Sequence, residues 1–448
     1  MTTTLPIRAG VPGAVTASKE RLGTRSAIVV RVDSTHKAGA LSPNDGATIA
    51  AAAETALAEQ LPLVTYLSSS GADIAEGVAA LHGWGLAARA MVRCSGVVPN
   101  IIAVTGPAVS GPALLLGLAD IVIMTTEAYA FVSGPHMVRE FTGVPISNDR
   151  LGGAGAHART SGVASFVAAD EVAAAALVED LLSYLPACLD DEPPRYPCFD
   201  PADRATPEAG ALIPASPTGS YDVRRVIECL VDDGELLELR ASWAGNLVTA
   251  FALMDGRPIG VVANQPTTIA GTLDIPSSQK GARFVAMCDA FNLPLLTLVD
   301  TPGFYPGKDL EWRGMIRHGA QLAYAYARAT VPRICLTLRK SYGGAYIVMD
   351  SKRIGNDLSL AWPSAEIAVM GAKGAAEILH RRATPEERLG LELAYEQKML
   401  NPYIAAERGY IDMVIDPADT RATICDAFEV LSTKREILAP RGHDNTPL

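Results

Sequence analysis

Five stretches of this chain occur twice, in the same order and at a nearly constant separation, and a chain built that way folds as two copies of one module. Leu61-Pro-Leu-Val-Thr-Tyr-Leu-Ser-Ser-Ser-Gly71 returns as Leu293-Pro-Leu-Leu-Thr-Leu-Val-Asp-Thr-Pro-Gly303, a shift of 232 positions. Each is a short apolar run closing in a small-residue turn, the pattern of a buried parallel strand and the loop after it. Helical stretches follow, over residues 76–95 and 312–330. Val97-Val-Pro-Asn-Ile-Ile-Ala-Val-Thr is then matched by Thr330-Val-Pro-Arg-Ile-Cys-Leu-Thr-Leu, with Pro99 and Pro332 separated by 233 positions. Both copies enter a Gly-rich turn, at Val109-Ser110-Gly111 and at Gly343-Gly344-Ala345. Ala130-Phe-Val-Ser-Gly134 finally echoes Ala368-Val-Met-Gly371. The order strand, helix, strand, turn predicts an α/β protein with two tandem β–α–β domains.

Between the copies, residues 186–217 are rich in Pro, Asp and Ala and read as an exposed, proline-stiffened connector. The expected domains are therefore residues 1–190 and 220–448, joined by a linker over 191–219. Tyr221-Asp-Val-Arg-Arg-Val-Ile-Glu-Cys-Leu predicts an amphipathic helix. Residues 251–263, split by Asp255-Gly256, predict a hairpin, and residues 383–398 and 424–438 carry helical spacing. With 448 residues, 49% hydrophobic and 19% charged, the chain can bury two large cores and is not disordered. Lys plus Arg number 38 against 49 Asp plus Glu, and no basic tract breaks the balance, which disfavours nucleic-acid or membrane partners. The seven cysteines form no CxxC pair, so reduced thiols in a cytoplasmic protein are expected, with no metal. Residues 1–15 lack the features of a signal peptide. Residues 97–119 carry no charge, yet Pro99, Pro107 and Pro112 would break a membrane helix, so they read as buried strand, loop and helix start.

Several catalytic signatures fail. Gly303-Phe-Tyr-Pro-Gly307-Lys308-Asp309 is one spacer residue short of a P-loop and ends in Asp. Ser110 lacks the Gly-x-Ser-x-Gly frame of a nucleophile elbow. The histidines show no metal-ligand spacing, His318 reads as a packed or capping helix residue, and no carboxylate pair sits in the Gly-rich turns. The two turns themselves remain. A strand ending in a small-residue turn that opens a helix presents bare N–H groups and the positive end of the helix dipole. Such a turn can hold a developing oxyanion, such as a thioester enolate. One glycine turn often serves only helix–strand packing, but a pair at equivalent positions of two repeats suggests two oxyanions.

Val262-Ala-Asn-Gln-Pro, Val299-Asp-Thr-Pro-Gly-Phe-Tyr-Pro-Gly, Arg339-Lys-Ser-Tyr-Gly-Gly-Ala-Tyr, Ala361-Trp-Pro-Ser-Ala-Glu-Ile-Ala-Val-Met-Gly and Asn401-Pro-Tyr-Ile-Ala-Ala-Glu-Arg-Gly-Tyr resemble one family. It is the carboxyltransferase (β) subunit of biotin-dependent acyl-CoA carboxylases of the propionyl-CoA and acetyl-CoA carboxylase type. Leu151-Gly-Gly-Ala, Thr160-Ser-Gly-Val-Ala and Leu182-Ser-Tyr-Leu-Pro extend the resemblance, more loosely, to the first half. It implies two crotonase-like domains of the ClpP/crotonase superfamily, of β-β-α superhelix type. An acyl-CoA thioester would lie on the first and carboxybiotin on the second of a neighbouring protomer, in a hexamer. The amides of Gly344 and Ala345 would hold the biotin ureido oxyanion, and those of Ser110 and Gly111 the acyl enolate. Gly71, Ala72, Tyr346 and Ile347 would contact the acyl substrate, Ile347 where the family tunes chain length. Gly152, Gly153, Ser161, Gly162 and Gly343 would belong to the biotin side. Separate biotin carboxylase and biotin carrier (α) subunits are implied as partners.

Departures cluster in the first half. The match starts near Ser26, short of the family's N-terminal arm. The family's Asp-Ser-Gly-Gly-Ala-Arg turn is Ser68-Ser-Ser-Gly-Ala-Asp73 here, and Ala-Gly-Gly-Ala is Val109-Ser110-Gly111-Pro112. These changes suggest an altered acyl partner, such as an acyl carrier protein. A decarboxylase or transcarboxylase on malonyl-type thioesters uses the same turns, a non-catalytic partner subunit is the reading from another class, and a plain hydratase leaves the doubled domain unexplained.

Overall fold

The structure, a computed structural model, describes residues 5–7, 13–434, 436–440, 442 and 445–447. Part of the N-terminal stretch read for a targeting signal, and one of the seven histidines, His443, lie outside the described residues. Two compact units emerge: Met1–Pro194 with Arg240–Trp243 and Ala290–Asn292, and Arg195–Leu239 with Ala244–Asp289 and Leu293–Leu448.

The first unit is built on one mixed sheet. Strands β1 (Leu5–Ile7), β2 (Val15–Leu22), β3 (Arg25–Val32), β4 (Leu63–Ser69), β5 (Asn100–Val109), β6 (Ile121–Thr125) and β8 (Phe166–Ala168) follow in spatial order, and β7 (Tyr129–Phe131) pairs with the end of β5. β1 to β3 are antiparallel and β3 onward parallel. β4 and β6 are buried along their whole length, as strands covered on both faces are. The second unit repeats the plan. Its strands are β9 (Leu236–Glu238), β10 (Leu247–Met254), β11 (Arg257–Asn264), β12 (Leu295–Thr301), β13 (Arg333–Tyr342), β14 (Leu358–Ala361), β15 (Glu366–Ala368) and β16 (Met413–Val414). Their order is β16-β14-β13-β12-β11-β10-β9, with β15 on the end of β13. β10 and β11 form the expected hairpin around Asp255-Gly256.

Pairing registers carry the repeat to single residues. Ser69 faces Ala108 in the first sheet and Thr301 faces Ser341 in the second, each just past a bulge. Val109 faces Phe131, and Tyr342 faces Ala368. Ser110, Gly111 and Pro112 thus correspond to Gly343, Gly344 and Ala345. The fifth echo shifts by one residue from its sequence reading: Phe131, not Ala130, is the counterpart of Ala368.

Helices end where backbone chemistry ends them. The stretch read as residues 76–95 is helical over Val78–Cys94, because Gly77 at φ 54° cannot continue a right-handed helix. The stretch over 312–330 narrows to Met315–Arg328 behind Gly314 at φ 91°. The stretch over 424–438 is the helix Thr420–Leu431. In the first unit the helix Pro43–Glu59 starts on a capping box, Asp45 N–H to Ser42 Oγ at 3.3 Å and Ser42 N–H to Asp45 Oδ2 at 2.8 Å. It meets the helix Val78–Cys94 at two glycines. A Cβ on Gly46 would run into the backbone of Gly83, and one on Gly83 would lie 2.7 Å from Pro43 Cα. That contact fixes the position of Trp84. Residues 97–119 form β5 and the helix Gly111–Leu115, and no described helix is long and apolar enough to cross a membrane.

Candidate active site

The second turn is built from the end of β13. Gly343 sits at φ 60°, and a side chain there would lie 3.1 Å from the Val369 carbonyl. The short helix Gly343–Val348 follows, and N–H groups of a first turn have no partner inside their own helix. Gly344 and Ala345 supply two such groups. The Phe304 ring packs on Gly344, 3.3 Å from where a Cβ would stand. Ala345 is fully buried, Tyr346 is partly exposed and Ile347 is 51% exposed. Beneath the turn, Tyr342 donates its hydroxyl proton to Glu366 Oε2, and burial together with that carboxylate pushes the phenol well above its ordinary range. A buried network anchors β13. Asp300 Oδ2 accepts from Tyr221 Oη at 2.8 Å and from Arg339 Nε at 3.0 Å, while Oδ1 accepts from the Lys340 N–H at 3.1 Å. Arg339 also donates to the carbonyls of Gly219 (2.8 Å) and Ser216 (3.4 Å), which ties residues 216–219 to the strand.

The first turn has the same backbone path and different chemistry. Ser110 holds φ 61°, where its counterpart Gly343 holds 60°, so it carries a strain that glycine avoids. The Ser110 N–H donates to the Phe131 carbonyl at 2.9 Å. That proton is committed to the β5–β7 pairing, so of the expected Ser110 and Gly111 pair only Gly111 retains an uncommitted first-turn N–H. Pro112, the counterpart of Ala345, has no N–H to give. Gly71 at φ 119° lies over this turn, 3.5 Å from the Val109 carbonyl to where its Cβ would be, and Ala72 bridges to Leu41. Asp73, the acidic departure, accepts from Lys37 Nζ at 2.7 Å, and that ammonium holds its carboxyl below the usual range.

The residues expected on the biotin side divide between the units. Gly343 is in the second, whereas Gly152, Gly153, Ser161 and Gly162 are in the first. There, a Cβ on Gly152 would run into the Ala130 carbonyl. His157 joins two of these segments. Its Nε2 lies 2.8 Å from the Ala130 carbonyl, which only accepts, so Nε2 carries the proton and Nδ1 accepts from Ser161 Oγ at 2.7 Å. Gly162 at φ 68° packs on the Trp243 ring, and its carbonyl accepts from Arg240 Nε at 2.8 Å. His157, Phe304 and Trp84 escaped the sequence reading. Phe304 lies within the Val299–Gly307 stretch that carries the resemblance, but nothing in the sequence puts its ring on Gly344, and Trp84 lies in no motif.

A family model described as the carboxyl transferase domain matches residues 8–446. The propionyl-CoA carboxylase beta chain of Saccharopolyspora erythraea is 44% identical over 443 residues, covering 95% of this chain and 81% of that protein. The methylmalonyl-CoA carboxyltransferase 12S subunit of Propionibacterium freudenreichii is 42% identical, covering 97% and 84%. A crystal structure of the transcarboxylase 12S hexamer, with methylmalonyl-coenzyme A and methylmalonic acid bound, superposes with a TM-score of 0.96 at 42% identity, covering 98% of this chain and 86% of that one.

Proposed function

Because the chain belongs to the carboxyl transferase domain family, we propose that it moves a carboxyl group from carboxybiotin to the α-carbon of an acyl-CoA thioester. The observation that carries this reading is the residue-for-residue correspondence of the two turns, one at the end of β5 and one at the end of β13. Preorganised N–H groups aimed where charge develops are the largest single source of catalysis in such chemistry. The turn of the second unit fits a ureido oxygen, since Gly344 and Ala345 offer two amides on a backbone that Phe304 and the Tyr342–Glu366 hydrogen bond hold still. The Gly111 N–H would donate to the thioester oxygen as negative charge forms on it. Bound carboxybiotin supplies CO₂ and then the nitrogen that removes the α-proton. No protein side chain then acts as acid or base, which agrees with turns that lack carboxylates and with a His157 whose two nitrogens are both engaged.

Supporting a second reading, the 12S relative is a methylmalonyl-CoA carboxyltransferase, so the same turns would take a carboxyl group from a malonyl- or methylmalonyl-type thioester. A hexamer, separate biotin carboxylase and biotin carrier subunits, and a cytoplasmic location belong to this proposal. So does the division of labour in which residues 1–190 bind the acyl thioester and 220–448 the biotin. The changed first turn adds the proposal of a carrier-protein-bound acyl group. The test is loss of carboxylate from methylmalonyl-CoA or malonyl-CoA with and without free biotin. Biotin-dependent loss supports the carboxyltransferase, and biotin-independent loss replaces it with a decarboxylase. No reaction on either thioester, with turnover on an acyl-carrier thioester, moves the substrate to the carrier.

A further inference from the structure

We infer that Arg333 and Asp350 are positioning residues for carboxyl transfer: their buried ion pair fixes the far end of the short helix Gly343–Val348, and through it the amides of Gly344 and Ala345. The inference rests on the carboxyltransferase reading and adds to it the residues that hold the second turn in place.

Comparing the two repeats isolates the pair. Asn100 faces Leu63 and Arg333 faces Leu295, so the two residues occupy one place in the two sheets. Each donates its backbone N–H to an aspartate just before the next strand, Asn100 to Asp120 Oδ2 at 2.9 Å and Arg333 to Asp357 Oδ2 at 2.8 Å. The turn stands ten positions before that aspartate in the first unit (110 to 120) and fourteen before it in the second (343 to 357). Residues 111–119 carry no charge, whereas the longer connection carries Asp350, and Arg333 takes the place of the uncharged Asn100. The charge pair is therefore an addition of the unit whose turn offers two amides.

Its contacts run straight to that turn. The Met349 N–H donates to the Ala345 carbonyl at 3.0 Å, closing the helix on the residue that supplies one of the two amides. The Met349 carbonyl accepts from Cys335 Sγ, on β13, at 3.5 Å. Asp350 follows at φ 55°, a left-handed conformation that Asp tolerates better than most residues. Arg333 Nη1 donates to its Oδ1, and Asn356 Nδ2 donates to its carbonyl at 2.6 Å. Arg333 Nη2 donates to the Gly355 carbonyl, so one guanidinium grips both ends of residues 350–355.

Stability is not what the pair supplies. The two side chains are 2% and 0% exposed, and Arg333 Nε and Asp350 Oδ2 have no hydrogen-bond partner among the described residues. Burial lifts the Asp350 carboxyl above its ordinary range even with the guanidinium beside it. Uncharged side chains of similar volume hold a fold as well as such a pair does, but they do not dictate one geometry. A six-residue helix is too short to hold its own start, and a displacement of about 1 Å at reacting groups costs about a hundredfold in rate.

The test uses the full chain at about pH 8, with methylmalonyl-CoA and saturating free biotin. Arg333→Met combined with Asp350→Asn removes both charges, keeps the volumes close and leaves at 350 a residue that accepts a positive φ. The double variant is expected to melt within about 3 °C of wild type, while kcat for biotin-dependent loss of carboxylate falls about 10–100-fold. KM for methylmalonyl-CoA and the dissociation constant of propionyl-CoA are expected to stay within about twofold. A purely structural pair predicts the reverse, a lower melting temperature with an unchanged kcat in the folded protein. A folded double variant within threefold of wild type in kcat overturns the inference, and so does one that melts more than about 10 °C lower. The second measurement is hydrogen exchange on wild-type protein. The Met349 amide is expected to exchange at least tenfold more slowly than the Leu116 amide, which closes the helix Gly111–Leu115 without such a pair. Equal or faster exchange at Met349 overturns the inference whatever the variant does. Wild-type turnover that ignores biotin overturns the carboxyltransferase reading, and this inference with it.

Discussion

Removing the guanidinium of Arg339 is expected to loosen the second unit at a definite place. Arg339 and Asp300 form an ion pair at 3.0 Å, with their side chains 8% and 2% exposed. In Arg339→Leu the Asp300 carboxylate stays buried and loses its counter-charge, a change that costs about 3–5 kcal/mol. Two donors remain on it, the Tyr221 hydroxyl and the Lys340 N–H, so the lower end, about 3 kcal/mol, is expected. At about 2–4 °C per kcal/mol for a domain of this size, calorimetry should show a drop of about 6–12 °C. The carbonyls of Ser216 and Gly219 lose their donor at the same time, so limited proteolysis should open the chain over residues 214–219 first. Asp300→Asn in the same background removes the uncompensated charge and should return at least half of the lost stability. A single variant that melts within 2 °C of wild type, or a double variant no more stable than the single one, refutes a buried charge pair as the anchor.

Ser110→Gly relieves a positive φ that costs about 1–2 kcal/mol and adds backbone entropy worth about 0.5–1 kcal/mol, so it should raise stability by up to about 1.5 kcal/mol in thermal melts. Gly162→Ala pushes a Cβ into the Trp243 ring at φ 68° and should lower the melting temperature of the first unit by several degrees. Asp200 is held below the usual carboxylate range by Arg204, whose Nε and Nη2 donate to it at 2.6 and 2.9 Å. A depressed folded pKa gives stability that is present above the unfolded value near 4 and lost as pH falls through the folded value. The stability gap between wild type and Arg204→Gln should therefore be full at pH 6 and shrink as pH falls below the unfolded value near 4 in acid-unfolding curves.

Much of the architecture was legible because a repeated strand carries its register with it. The offset of 232–233 between Leu61 and Leu293 and between Pro99 and Pro332 is the offset at which β4 and β12, and β5 and β13, pair in the two sheets. The hairpin at Asp255-Gly256 was equally plain, since a turn dipeptide between two apolar runs leaves one low-strain solution. The Gly-rich turns are plain in the sequence, but their mutual register is not: Ser110 corresponds to Gly343, and its N–H is taken by the Phe131 carbonyl. Sequence cannot say that the Ser110 N–H points back to Phe131, because that depends on the extra strand β7 on the end of β5. Trp84 was invisible for a related reason. The glycine it packs on, Gly111, is 27 positions away (84 to 111), and the contact of the helix Val78–Cys94 with the helix Gly111–Leu115 brings the two together.

The make-up of the first unit sets an order on its synthesis. Gly162 and Ser165 hand their carbonyls to Arg240, at 2.8 and 2.9 Å, and Leu189 and Asp191 hand theirs to Asn292, both at 2.8 Å. A nascent chain that has emerged only as far as Pro194 owns every strand of the first sheet and still lacks these four bonds. The N-terminal half thus waits on the ribosome for about another hundred residues, at 5–20 residues per second, or roughly 5–20 s. During that interval the stretch around Leu189 and Asp191 and the loop around Gly162 are the segments a chaperone or a protease would meet.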